Sequence, residues 1–362
     1  MQKKIIALAV AAAFSTPAFA EVGFYGIVDA AVAAVSASGQ KGDLIAVSGA
    51  ASQSRLGVKA TEDLGNGLTG VAVLEYGLDS QDSTTIGAAR QKYVAVAGDF
   101  GTVASGYLQT AAYDFLAKYD PIYGSGSSAH SIVAATHLVG NGGQRAQRAV
   151  AYLSPNISGM TFAVNYVTAF TGAGNLGKTS VGANGNFEKD TAFMLSGNYA
   201  VDALSVGAVY ASYNSGTSAA GVAQPVITEF AFGGSYDLGV AKLMGTYQSM
   251  KSDVAGSKAS TVFSLAGVMP VATGAIAVMY GSNKNLDSSA FSATALTAGY
   301  LHTFTKSTTG YVVFSNVKNG SSTNVYSVSG NTLGGGATLL TATTQTLGGS
   351  SSLFGVGLRK KF

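Results

Sequence analysis

The side chains of this chain that could do chemistry are fixed charges held at strand spacing. Arg55 and Lys59 lie four residues apart, on the opposite parity from Leu56 and Val58, and Arg90 and Lys92 lie two apart, opposite Tyr93. In an extended strand those spacings put each basic pair on one face. Two acids, Asp114 and Asp120, and two further arginines, Arg145 and Arg148, belong to a segment running from Tyr107 to Arg148. What such groups offer is electrostatics. Opposed charges about 10 Å apart in a confined space interact more strongly than across bulk water, and they set local ion concentrations.

Bond-making chemistry finds no support. His130, His137 and His302 are scattered without metal-ligand spacing, and there is neither a GxSxG elbow nor a phosphate-binding loop. Gly65-Asn-Gly-Leu-Thr-Gly70 spells GxGxxG, but it opens a strand where a dinucleotide site needs a helix. Glu62 and Asp63 are paired carboxylates beside a turn, where they face water. The sequence therefore predicts no enzyme, no cofactor and no metal.

The elements that must position these charges are strands. Two-residue alternation recurs from Val22 onward; Phe162, Val164 and Tyr166, for example, oppose Thr161, Ala163 and Asn165. Sixteen such segments are predicted, near 22–35, 53–62, 68–79, 90–98, 101–107, 148–154, 160–170, 190–200, 204–214, 228–237, 240–251, 259–270, 275–283, 292–304, 309–318 and 353–362. Tight turns such as Gly65-Asn-Gly67 and Asp202-Ala203 alternate with long Gly/Ser/Thr-rich connections, including 36–52, 171–189 and 319–352. An up-and-down barrel puts alternate connections at opposite rims, and membrane barrels keep the turns of one rim short. Strands of about ten residues also suit a tilted crossing of a bilayer. Hydrocarbon tolerates a sheet only if it closes, and sixteen strands enclose water rather than a packed core.

Composition agrees. Charged residues make up 11% of the 362-residue chain, against about 25% in a soluble domain. Lys3 and Lys4, the apolar run Ile5 to Phe14 and Ala18-Phe19-Ala20 read as a secretory signal over residues 1–20. The mature barrel would then occupy 21–362, with 19 basic against 18 acidic residues, a balance that favours no nucleic acid. The absence of cysteine fits an exported protein stabilised without disulfides. No run after Ala20 is apolar enough for a membrane helix. The segment between 107 and 148 is far too long for a hairpin connection. A loop of that length is functional or disordered.

Several stretches resemble the Gram-negative general porins, especially the β-proteobacterial and Neisserial type. They are Glu21-Val-Gly-Phe-Tyr-Gly-Ile-Val-Asp29, Ser54 to Gly65, Arg90 to Gly106 with its Gly98-Asp-Phe-Gly101 turn, Tyr152 to Gly159, and the terminal Gly357-Leu-Arg-Lys-Lys-Phe362. The resemblance implies an all-β, sixteen-stranded antiparallel transmembrane barrel in the outer membrane. Its third extracellular loop, 107–148, would fold into the lumen as a constriction. It also implies a homotrimer among outer-membrane lipids and lipopolysaccharide, with Phe362 read by the barrel-assembly machinery. By position Arg55, Arg90 and Arg145 correspond to the family's basic wall, with Lys59 and Lys92 added by parity and Asp114 and Asp120 facing them from the loop. Arg148 shares parity with Tyr152 and ranks below Arg145.

Departures from the family pattern bear on selectivity. Ala60 stands where Gly is usual, Tyr107 follows Gly106 where relatives carry Arg, and Pro121-Ile-Tyr-Gly-Ser125 lacks the family's glutamate. The expected function is passive diffusion of small hydrophilic solutes and ions with weak anion preference. Its rivals are a channel specific for organic acids or aromatics, and an exported β-rich adhesin or structural surface protein with no pore. Blander roles compete at each residue too: surface ion pairs for Arg55 and Arg90, solvated loop acids for Asp114 and Asp120, and wall packing for Tyr113, Phe115 and Tyr119.

Overall fold

The computed structural model describes residues 20–81, 83, 86–122, 124–140, 143–168, 191–214, 224–328 and 346–362. The signal segment, apart from Ala20, lies outside them, as do the long connection 171–189 and residues 329–345 of the connection 319–352. Among the described residues there are seventeen strands. They are β1 (Glu21–Ala37), β2 (Asp43–Ser48), β3 (Arg55–Gly65), β4 (Leu68–Gly77), β5 (Ala89–Gly98), β6 (Gly101–Gln109), β7 (Arg145–Leu153), β8 (Met160–Val167) and β9 (Thr191–Val201). There follow β10 (Leu204–Asn214), β11 (Val226–Asp237), β12 (Lys242–Ser252), β13 (Ser260–Val271), β14 (Gly274–Asn285), β15 (Ala293–Thr305), β16 (Thr308–Asn319) and β17 (Ser350–Lys361).

All pairings are antiparallel, and the sheet closes where β1 meets β17, with Ile27 to Ala37 opposite Lys361 to Ser351. On its other edge β1 pairs with β3 over Glu21 to Ile27 and with β2 over Ala30 to Val35. β2 and β3 therefore fill one position in the wall, which makes a sixteen-position barrel. The connection read from sequence as a plain loop over 36–52 contains β2, so that assignment is corrected. The physical reason is a broken strand: Gly49 takes φ +83° and its amide bonds the Asp29 carbonyl, turning the chain out of register between the two halves.

Closure leaves the wall apolar outside. Phe230, Phe263, Leu265, Tyr280, Phe314 and Phe354 are exposed, while their strand neighbours Ser264, Asn283 and Ser315 are buried. Such inversion suits hydrocarbon as the outer solvent. One rim carries only short connections; Asn66 and Gly67 (φ 53° and 76°) make the β3–β4 turn, the backbone of a two-residue hairpin.

The apolar core lies within the barrel. Residues 110–144 carry two short helices, α1 (Ala111–Leu116) and α2 (Ala129–Val133), capped by the hydroxyls of Thr110 and Ser128. Phe115, Leu116, Tyr119 and Val139 pack with Val167, Met194, Val209 and Ala231 of the wall. Ile122, Ile132 and Val133 pack with Val47, Val262, Met279 and Val313. The segment is thus clamped to the inner face on both sides.

Candidate functional site

The basic wall is built by three adjacent strands and the start of a fourth. Gly57 of β3 pairs with Glu75 of β4 and with Tyr25 of β1. A Cβ on Gly57 would lie 2.2 Å from Tyr25 Cζ, so the Tyr25 ring rests on a bare backbone. Arg90 of β5 donates from Nε to Glu75 Oε1 at 2.7 Å and from Nη1 to Gln53 Oε1. Arg55 Nε stands 3.7 Å from Glu75 Oε2, and its Nη1 donates to the Gln53 carbonyl at 3.3 Å. Arg90 is 1% exposed, whereas a quarter of the Arg55 side chain meets solvent. At the start of β7, Arg145 lies with its guanidinium carbon 5.1 Å from the centroid of the Tyr113 ring, a cation–π contact. Its Nε and one Nη are buried without a hydrogen-bond partner among the described residues. Three guanidinium groups thus stand on one side of the barrel around one carboxylate.

The geometry separates residues that parity had joined. Between β4 and β5 the register slips: Glu75 faces Gln91 while Tyr76 faces Ala89. Arg90 is the extra residue of this bulge, and a bulge re-aims a side chain. Beyond it Tyr93 shares the inner face with Val73 and Lys59, whereas Lys92 pairs with Leu74 and is exposed beside Val94 and Val96. Lys92 therefore faces outward, which corrects its expected place in the basic wall. Lys59 lies on the inner face and is exposed. Arg148, at φ 51°, sits where the β6–β7 register shifts and is exposed.

The two loop acids are used differently. Asp114, half-buried on α1, accepts from Gln109 Nε2 at 3.1 Å and borders a 220 Å³ cavity with Phe115, Lys118, Thr161 and Asn198. Burial raises its pKa, with Gln109, Lys118 and Arg145 drawing it partly back. Asp120 is buried and accepts from Ser128 Oγ and from the Ile122 amide at 3.0 Å. Burial pushes its pKa up to about 7. The expectation of two acids opposing the arginines is corrected here, because Asp120 braces the segment internally.

Packing of the loop aromatics divides too. Phe115 and Tyr119 meet edge to face at 5.2 Å, and the Tyr119 hydroxyl donates to Asn198 Oδ1 at 2.9 Å. Tyr113 instead faces Arg145. Phe362 pairs through its backbone with Gly26, and its ring covers that glycine.

Sequence reasoning missed Glu75, Gln53 and both anchoring histidines. His137 Nδ1 meets Glu229 Oε1 at 2.8 Å, and the Val139 amide donates to the other oxygen at 3.0 Å. His130 Nδ1 meets Ser264 Oγ at 2.9 Å, and its other nitrogen meets Gln248 Nε2 at 3.0 Å. Burial lowers the His130 pKa to about 3, which keeps the ring neutral. A signal for Glu75 existed: it stands nine residues after Asn66 and Gly57 nine before, so the turn itself pairs them.

A family profile described as Gram-negative porin matches residues 7–322. The outer membrane porin protein 32 of Delftia acidovorans is 32% identical over 333 residues, covering 88% of this chain and 90% of that protein. The major outer membrane protein P.IB of Neisseria gonorrhoeae is 29% identical over 191 residues, 51% of this chain and 53% of that one. Among solved structures, the anion-selective porin from Comamonas acidovorans superposes with a TM-score of 0.78 at 24% identity, over 95% of this chain and all of that one.

Proposed function

The chain belongs to the Gram-negative porin family, and from that premise we propose that it is an anion-preferring diffusion pore whose waist lies between the Arg55–Arg90–Arg145 wall and residues 110–144. It is an outer-membrane β-barrel and not an enzyme. The observation that carries the anion preference is the gathering of three guanidinium groups about the single carboxylate of Glu75. Fixed charge at a narrow, partly desolvated aperture selects ions by sign. Arg145 adds a third positive charge at the same stretch of wall, beside the Tyr113 ring. The relative from Comamonas acidovorans carries the description anion-selective, which agrees.

In this reading the solutes are small and hydrophilic, and residues 107–148 form the constriction. The working assembly is a homotrimer embedded among lipids and lipopolysaccharide, delivered by an assembly machinery that reads the strand ending in Phe362. Residues 1–20 act as the export signal. Purified protein in a planar bilayer under a KCl gradient is expected to reverse on the chloride side of zero. Arg145→Gln should move that potential toward potassium. A wild-type reversal on the potassium side would sink the proposal.

A further inference from the structure

The lumen holds a second pair of charges, on the short-turn side of α1. Asp114 and Lys118 line the 220 Å³ cavity together with Phe115, and Thr161, Ser196 and Asn198 of β8 and β9 face them. Thr161 is the second residue of β8 and Asn198 the fourth from the end of β9, which sets the cavity near the short-turn rim. Arg55, Arg90 and Arg145 stand at the other ends of their strands, as the first or second residue of β3, β5 and β7. The cavity is therefore a separate place from the arginine wall.

The fold leaves these groups unsatisfied. Asp114 and Lys118 are four residues apart, the spacing of a helical ion pair, but α1 ends at Leu116 and the two act on each other only through space. Asp114 Oδ1 accepts from Gln109, while its other oxygen has no partner among the described residues. The same is true of Lys118 Nζ, of the Thr161 and Ser196 hydroxyls, and of the Asn198 amide nitrogen, whose oxygen takes the Tyr119 hydroxyl. Five polar groups without a partner among the described residues thus converge on one cavity. Both charges ride on a segment fixed by the Ala111 amide, which donates to Asn165 Oδ1 at 2.7 Å. A ligand would find them already placed.

Charge decides what that ligand is. A lone anion would meet Asp114, and a lone cation would meet Lys118 with Arg145 in reach behind it. A molecule bearing both signs satisfies both. The 220 Å³ is the space of roughly seven waters, the size of a small amino acid. We propose that this cavity is a subsite for small zwitterions, α-amino acids with short side chains, reached from the short-turn mouth of the pore. The inference rests on the pore reading above for access, and adds to it a second station. The ligand's ammonium donates to the free oxygen of Asp114, and an incoming ammonium favours the ionised carboxylate there. The ligand's carboxylate accepts from Lys118, the Asn198 amide and the two hydroxyls, and its short side chain lies against Phe115.

The test follows the NMR linewidth of L-serine added to the detergent-solubilised protein. Lactate and ethanolamine, each bearing one of the two charges, serve as comparisons. L-serine is expected to broaden and the other two to stay sharp. Asp114→Asn and Lys118→Gln should each weaken the affinity about tenfold, as loss of a hydrogen bond to a charged group does. Ser196→Leu fills the cavity from the wall, leaves both charges in place and should abolish the broadening. Lys306→Gln, in the β15–β16 turn at the same rim, should keep it. Folding of each variant is read from the fast-migrating form in unheated gel samples. Equal broadening of lactate or ethanolamine, an undiminished effect in the charge variants, persistence in Ser196→Leu, or sharp L-serine lines with the wild type would each overturn the proposal. A wild type that broadens L-serine yet conducts nothing in a bilayer would overturn the pore reading and leave this site standing.

Discussion

At the scale of single residues, the Glu75 carboxylate is the shared partner of Arg90 and Arg55, and in the proposed pore it would bear on both stability and selectivity. Removing one partner of a buried ion pair strands the other, at a cost of about 3–5 kcal/mol. Arg90→Gln should therefore destabilise the barrel more than the double variant Arg90→Gln/Glu75→Gln, as read from unfolding in detergent. Selectivity moves in opposite directions for the two signs: Glu75→Gln should raise chloride over potassium permeability, and Arg55→Gln should lower it. Equal reversal potentials in all three proteins would disprove the assignment. Asp120 sets a pH dependence. Its carboxyl protonates at about 7 in the fold against 3.8 for the free side chain, so the fold favours the protonated form. The contribution of Asp120 to stability is then greatest in acid and declines as pH rises from about 4 through about 7. Asp120→Asn should flatten that slope, and an unchanged slope would place the cause elsewhere. Arg55 and Lys59 were legible in the sequence because β3 keeps strict alternation through them. Lys92 was misread because one extra residue at Arg90 inverts parity, and nothing local announces a bulge.

At the scale of elements, the inserted segment is held by close fits that small residues allow. Gly281 of β14 lies under α2, where a Cβ would come within 2.8 Å of the Ala129 carbonyl and 2.9 Å of a Val133 methyl. Gly233 of β11 lies under Tyr119, whose ring would be 2.5 Å from such an atom. Overpacking of this kind costs about 1–3 kcal/mol. Gly281→Val should leave the barrel closed but loosen the segment, which single-channel recording would register as added current fluctuation. His137→Leu, which strands the buried Glu229, should do the same from the other anchor; quiet channels in both variants would mean the segment is held by something else. The hairpins were legible because each turn announces itself and fixes the register of two strands at once. The segment was recognisable only by its excess length. Its anchors pair residues about a hundred positions apart, such as His137 with Glu229, and no local period encodes them. β2 escaped notice because it is only six residues long and is joined to β3 by a kink.

At the scale of the whole molecule, closure depends on a seam between the two ends of the described chain. Gly26 and Phe362 exchange backbone hydrogen bonds of 3.0 and 3.2 Å, and the ring of Phe362 covers Gly26. Deleting Phe362 should reduce the yield of folded barrel, seen as less of the fast-migrating form in unheated gel samples; an unaltered yield would remove the residue from assembly. A hollow sheet cylinder, unlike a solid domain, has little inside to resist flattening. Here the Ser127 hydroxyl bonds the Ala50 carbonyl of the β2–β3 connection, while the Thr297 hydroxyl of β15, about a quarter of the way round the wall, bonds the Ser127 carbonyl. Residue 127 is thereby a staple between two parts of the wall that no strand pairing joins. Lateral pressure in a crowded bilayer would meet a braced arc there, so that quarter of the wall would resist flattening.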